Sequence, residues 1–182
     1  LQADDELAQL GRRLTQADNL NVLRGIEGAA ARRYFDAFGK LLGEGWRFQT
    51  RNRRPPRDPV NVLLSYGYAV LFQNVLTLVV RRGLHPHVGS LHTTTDRHPA
   101  LVSDLMEEFR SLVVDAVVLK LLLNGRIKPE HFDFDNTDYP CRLKPTGKRV
   151  FIQALETKFD ATLKHPTTGK SIDLRRAIAS QA

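Results

Sequence analysis

The stretch Asp58-Pro59-Val60-Asn61-Val62-Leu63-Leu64-Ser65-Tyr66-Gly67-Tyr68-Ala69-Val70-Leu71-Phe72-Gln73-Asn74-Val75-Leu76-Thr77-Leu78-Val79-Val80-Arg81-Arg82-Gly83 decides the fold. Asp58 is a good cap, and Pro59 suits the first helical position, where its missing N–H costs nothing. Gly83 is a stop signal. Between them the chain is apolar nearly all round, which predicts a helix to about Arg82, central and buried. Asn61, Ser65 and Tyr68 interrupt that surface at i, i+4 and i+7. Such a polar line either supports a functional carboxylate or is a set of satisfied core polar groups.

Upstream, Leu20 to Leu42 reads as a second helix. At about 100° per residue its apolar stripe holds Leu23, Ala30, Tyr34, Phe38 and Leu41, and Glu27 falls inside it. Arg32, Arg33, Asp36 and Lys40 take the opposite face. A carboxylate turned to a core costs several kcal/mol, roughly, unless it is paired, protonated or bound to a metal. Gly25, Gly28, Ala29, Ala30 and Ala31 leave room beside it. Residues 1–18 predict an earlier helix, with Asp4, Asp5 and Glu6 at its positive end.

Downstream, Pro99 opens a helix to about Leu123, closed by Asn124-Gly125. Its apolar side gathers Val102, Leu105, Met106, Phe109, Leu112, Val113 and Ala116. Asp104, Glu107, Glu108 and Asp115 fall on the other side, and Asp104 and Glu107 are close enough for both carboxylates to reach one point. Two such groups repel unless a proton or cation lies between them; a solvated acidic face is the plainer alternative. Residues 43–57 and 83–98 are loops, 126–147 is irregular with a short hairpin around 141–150, and helices follow near 148–165 and 171–180. Strand signals are nearly absent, so the expected fold is all-α, an irregular multi-helix domain.

The chain has 182 residues, 42% of them apolar and 26% charged, ordinary for a globular protein with a real core. A net charge of +7 points to a polyanion as partner. Cys141 is the single cysteine, which excludes an internal disulfide framework and suits a reducing compartment. No apolar run reaches the roughly 18 residues of a spanning helix, and no signal peptide is seen, so no membrane is expected. The first residue, Leu1, is not Met and lies in an expected helix, so the chain reads as a fragment of a longer one.

The loop before Pro99 carries His85, His87 and His92. An imidazole can join a mixed N/O metal site, whereas one cysteine without paired Cys/His spacing gives none of the usual zinc patterns. The loop Trp46–Arg57 sets five arginines beside Trp46 and Phe48. It can grip phosphates and stack on bases, or its aromatics can plug the core. A second basic cluster spreads from Arg142 to Arg176.

Order and wording then matter more than any one signal. The runs are Gly25-Ile26-Glu27-Gly28-Ala29-Ala30-Ala31-Arg32, Arg51-Asn52-Arg53-Arg54-Pro55-Pro56-Arg57-Asp58-Pro59 continuing to Tyr68, Gly83-Leu84-His85-Pro86-His87-Val88-Gly89-Ser90-Leu91-His92, and Asp104-Leu105-Met106-Glu107-Glu108-Phe109-Arg110. Together they strongly resemble the CRISPR-associated adaptation integrase/endonuclease family ("Cas-one") over about residues 1–165. The resemblance implies the family's C-terminal helical catalytic domain over residues 1–182, without its N-terminal β domain. It implies a Mn2+ or Mg2+ site made by Glu27, His92 and Glu107, with Asp104 beside the metal as a further catalytic residue. It implies DNA integrase/endonuclease activity: the 3′-hydroxyl of a captured spacer attacks a phosphodiester at the edge of a CRISPR repeat. Arg51, Arg53, Arg54, Arg57, Lys148 and Arg149 are then expected to hold the DNA backbone. Implied partners are DNA, a second copy of the chain, the small CRISPR-associated protein two and a fused reverse transcriptase or nuclease, in a prokaryotic cytoplasm. Thr93-Thr94-Thr95-Asp96 and Ser111 depart from the usual pattern, and Glu108 leaves a register ambiguity for the third ligand. The rival is a non-catalytic basic helical module for DNA binding or assembly.

Overall fold

The computed structural model describes residues 2–15, 17–92, 98–134, 140–164, 169 and 171–181. In chain order it contains α1 (Gln2–Leu14), α2 (Leu20–Leu42), α3 (Pro59–Arg81), α4 (Ala100–Phe109), α5 (Ala116–Leu123), β1 (Phe132–Asp133), β2 (Arg142–Leu143), α6 (Pro145–Phe159), β3 (Thr162–Lys164), β4 (Ser171–Asp173) and α7 (Leu174–Gln181). The fold is mostly helical, as expected.

α3 is the axis. Asp58 caps it by accepting the Asn61 N–H at 2.9 Å, and Gly83 follows with φ of 74°. From Pro59 to Leu64 every residue is buried; beyond that, burial contracts to Gly67, Leu71, Val75 and Val79. The helix is thus wrapped completely only over its first six residues. By length and composition α3 could cross a membrane, contrary to the expectation that no segment qualifies. Its fully buried Val60, Leu63, Leu64, Leu71, Val75 and Val79 instead belong to the protein core, with Phe151, Leu155 and Phe159 of α6 and Ile178 of α7.

The long helix expected from Pro99 is not regular. α4 passes into a six-residue π-helical segment, Arg110–Asp115, before α5 begins. Each residue turns a regular helix by about 100°, so a widened turn re-aims everything after it. Leu112, expected inside, is 43% exposed, and Asp115, expected outside, is 3% exposed.

The expected hairpin at 141–150 is replaced by a pairing across a longer loop, Phe132 with Leu143 and Asp133 with Arg142, antiparallel. Pro145 then starts α6 three residues before the expected position, because its fixed φ suits a first helical turn. α6 ends at Phe159, not near 165; β3 follows and pairs antiparallel with β4, which fills the expected start of the last helix. The departure Thr93–Asp96 and the first residue lie outside the described residues.

Candidate active site

Asn19 caps α2 by accepting the Asn21 and Val22 N–H groups, and the helix carries Glu27 two turns in. Ile26, Phe38 and Leu42 are its buried residues, whereas Leu41 is 63% exposed. Glu27 lies on the inward face, but it is exposed rather than packed. Among the described residues it opens into a cleft of about 340 Å3, lined also by Glu107, Arg53, Arg110, Tyr34 and Asp115. The cost of a buried charge is therefore avoided by an opening, not by a core partner.

His92 comes from the loop between α3 and α4. The Asp104 carboxylate holds that loop, accepting N–H groups of Ser90 (2.6 Å), Leu91 (3.0 Å) and His92 (3.0 Å). Its Oδ1 also lies 2.7 Å from His92 Nδ1. This fixes the ring and leaves Nε2 as the nitrogen free of Asp104. Gly89 is required here: a Cβ would stand 2.7 Å from the Ala100 Cβ and 2.8 Å from Asp104 Oδ2. Burial pushes the Asp104 carboxyl up, but the His92 ring and the three N–H groups outweigh it and hold the group below its usual range. Arg24 Nη2 donates to the Leu91 carbonyl at 3.0 Å, so α2 meets this loop one turn before Glu27. Asp104 and Glu107 do not share one point: Asp104 is committed to the loop, and Glu107 pairs with Arg110 at 2.8 Å. His92 lines an adjacent cavity of about 540 Å3 that shares Arg51, Arg53, Tyr68 and Arg110 with the first cleft.

Burial raises the Glu107 carboxyl; the Arg110 charge opposes this, and Glu27 adds to it by repulsion. Glu108 is exposed and outside the cleft, so Glu107 is the acid of the pair that faces Glu27. The π-helical segment brings Asp115 to the same cleft, where Tyr34 and Tyr68 donate to its two oxygens at 2.8 and 2.6 Å. A regular helical wheel hides Asp115, and no local sequence signal marks the change of register.

Arg51 is not a free backbone contact for DNA. It is half-buried, donates to Asn61 Oδ1 (2.8 Å), Ser65 Oγ (3.0 Å) and the Asn52 carbonyl, and lies over the Tyr68 ring at 5.4 Å. Burial pulls its pKa down to about 10, so it stays charged at neutral pH. The polar line on α3 is thus a satisfied one: Asn61 and Ser65 hold Arg51, and Tyr68 holds Asp115. Arg53, Arg54, Arg57, Lys148 and Arg149 are exposed, and Arg53 and Arg54 line the cavity beside His92. The loop aromatics plug the core: Phe48 packs 5.9 Å from Phe38, and Trp46 6.4 Å from Phe132.

Together, Glu27, His92 and Glu107 would offer two carboxylates and one imidazole, a donor type suited to Mn2+ or Mg2+. The mutual repulsion of the two carboxylates is what a cation between them relieves, so the chemistry fits. The side chains are not arranged as a closed cage. Among the described residues no three His, Cys, Asp or Glu groups converge on one point. Arg110 holds Glu107 instead, and ligation needs that ion pair to open.

A family model described as CRISPR associated protein Cas1 matches residues 2–157. The chain belongs to the Cas1 family. The CRISPR-associated endonuclease Cas1 3 of Thermus thermophilus is 43% identical over 167 residues, which is 92% of this chain and 50% of that protein. The chain thus spans about half of that Cas1 relative's length. A casposase bound to integration product superposes with TM-score 0.88 at 27% identity, covering 96% of this chain and 49% of that one. A Cas6-RT-Cas1–Cas2 complex gives TM-score 0.85 at 32% identity over 99% of this chain and 19% of that one.

Proposed function

We propose that residues 1–182 form the helical catalytic domain of a CRISPR-adaptation integrase and endonuclease. In this reading captured spacer DNA is joined to the CRISPR array by attack of its 3′-hydroxyl on a phosphodiester. Mn2+ or Mg2+ is held by Glu27, His92 and Glu107. When bound, the cation supplies charge stabilisation at the attacked phosphate. The observation that carries the reading is the open cleft in which Glu27 and Glu107 face each other with Arg53 and Arg110 beside them.

The residues divide the work. Asp104 orients the His92 ring and the loop that carries it. Arg53 and Arg54, exposed on the cavity beside His92, meet phosphates entering it. Arg57, Lys148 and Arg149 extend the positive surface along the backbone, giving an affinity that falls with salt. The small Ala30 and Ala31 keep the α2 side of the cleft low enough for a strand to approach. Water in place of the attacking hydroxyl turns the same site to strand cleavage.

Family membership and the casposase likeness support this reaction class. Likeness to a Cas6-RT-Cas1–Cas2 assembly supports a Cas2-type partner and a parent fused to a reverse transcriptase; a second copy of the chain in the working complex is part of the same proposal. The test is Mn2+-dependent strand transfer by the full-length protein. Glu27→Ala and Glu107→Ala are each expected to lower the rate at least about 100-fold while DNA binding stays within about twofold. Near wild-type transfer in either variant removes that residue from the metal site, whereas no Mn2+-dependent transfer by the wild-type protein leaves the non-catalytic basic DNA-binding module as the better reading.

A further inference from the structure

Asp115 has no task in the chemistry above, yet it is the one buried acid among the described residues, 3% exposed at the end of the π-helical segment. A lone buried carboxylate costs several kcal/mol, roughly, so its environment must supply compensation. Two hydroxyls supply part of it. Tyr34 donates from α2, seven residues after Glu27 and on the same face, and Tyr68 donates from α3. Two guanidinium groups supply the rest: Arg51 lies 5.4 Å and Arg110 5.3 Å from the Tyr68 ring centroid, and both charges act on Asp115.

These contacts are continuous. They run from the helix of Glu27 through Tyr34, Asp115, Tyr68 and Arg110 to the Glu107 carboxylate. The Nε atoms of Arg51 and Arg110 are buried without a hydrogen-bond partner among the described residues. Arg51 is held through its Nη atoms by Asn61, Ser65 and the Asn52 carbonyl, and Arg110 by Glu107, and the Tyr68 ring adds a contact to both. An uncharged acceptor could pin the two hydroxyls, but an anion also attracts the two guanidinium groups beside the Tyr68 ring.

We propose that Asp115 is a positioning residue that sets the Glu27 and Glu107 carboxylates relative to each other, through Tyr34 on one side and Tyr68–Arg110 on the other. It rests on the reading of Glu27, His92 and Glu107 as the metal ligands. Groups that orient metal ligands from behind typically change metal affinity by about 10- to 100-fold when removed.

The test uses full-length protein and Mn2+ alone, with affinity read by electron paramagnetic resonance and folding checked by circular dichroism at the same temperature. Asp115→Asn is expected to weaken Mn2+ binding at least about tenfold. It should lower kcat for strand transfer by a similar factor, with KM for DNA within about twofold. Tyr68→Phe, which keeps the ring and removes its anchor, is expected to weaken Mn2+ binding in the same direction in a fully folded protein. Mn2+ affinity within about twofold of wild type in folded Tyr68→Phe and Asp115→Asn overturns the proposal and makes the cluster a packing feature only. Unchanged Mn2+ affinity in Glu107→Ala overturns the metal-site reading itself, and the positioning role with it.

Discussion

Glu27 and Asp115 are opposite lessons in where a carboxylate ends up. The wheel places Glu27 on the inward face of α2, and it does face inward, but into an open cleft where water or a cation can reach it. Asp115 reads as a solvent residue and is buried, because the chain between Arg110 and Asp115 is not an α-helix. Burial pushes the Asp115 carboxyl above its usual range, against the pull of the Tyr68 and Tyr34 hydroxyls and the Arg110 and Arg51 charges. Between its unfolded and folded pKa the native state then binds more protons than the unfolded chain, so this group makes stability fall as pH rises through that window. Replacing it with Asn removes the contribution. Urea unfolding of Asp115→Asn between about pH 4 and 7 should therefore show a weaker loss of stability with rising pH than wild type. An identical slope would mean that Asp115 titrates normally in the folded protein.

At the scale of elements, α3 and the irregular α4–α5 rod make the site. They touch most closely at Gly67, where an added Cβ would lie 2.4 Å from Val114 Cγ1 and 3.1 Å from Phe151 Cζ. Val114 belongs to the π-helical segment, so this contact also fixes where Asp115 points. Gly67→Ala should destabilise the fold by about 1–3 kcal/mol through overpacking, despite the better helix propensity of Ala. A denaturant midpoint equal to wild type would show that the segment yields freely. α3 is legible from its Asp58 cap, Pro59 and apolar run, and α2 and the start of α4 from their apolar patterns and, for α4, from Pro99. Strands of two or three residues were not legible, since a period of two needs more repeats to stand out. Of the site, Glu27, His92, Asp104 and Glu107 were marked by resemblance. Nothing local in the sequence tells that Asn61 and Ser65 bind Arg51. Tyr34 and Tyr68 stand on the helix faces expected of them, and only Asp115, the partner they share, is hidden by the π-helical turn.

Across the whole molecule, segments from three regions meet at one face: α2, the loop ending at His92, and α4 with its π-helical continuation. Arg24 on the Leu91 carbonyl and Tyr34 on Asp115 are the bonds that bring α2 to the other two. In a chain of net charge +7, the cleft that holds the acidic pair is also lined by Arg51, Arg53 and Arg110. That contrast suits a site that attracts a polyanion and then needs a cation at its centre. The most direct test is a crystal of the protein grown with Mn2+ and measured at the manganese absorption edge. The account predicts one anomalous peak within roughly 2.0–2.5 Å of a Glu27 oxygen, a Glu107 oxygen and His92 Nε2, with Arg110 released from Glu107. A saturated crystal with no peak at these three residues, or with manganese bound only elsewhere, would contradict it.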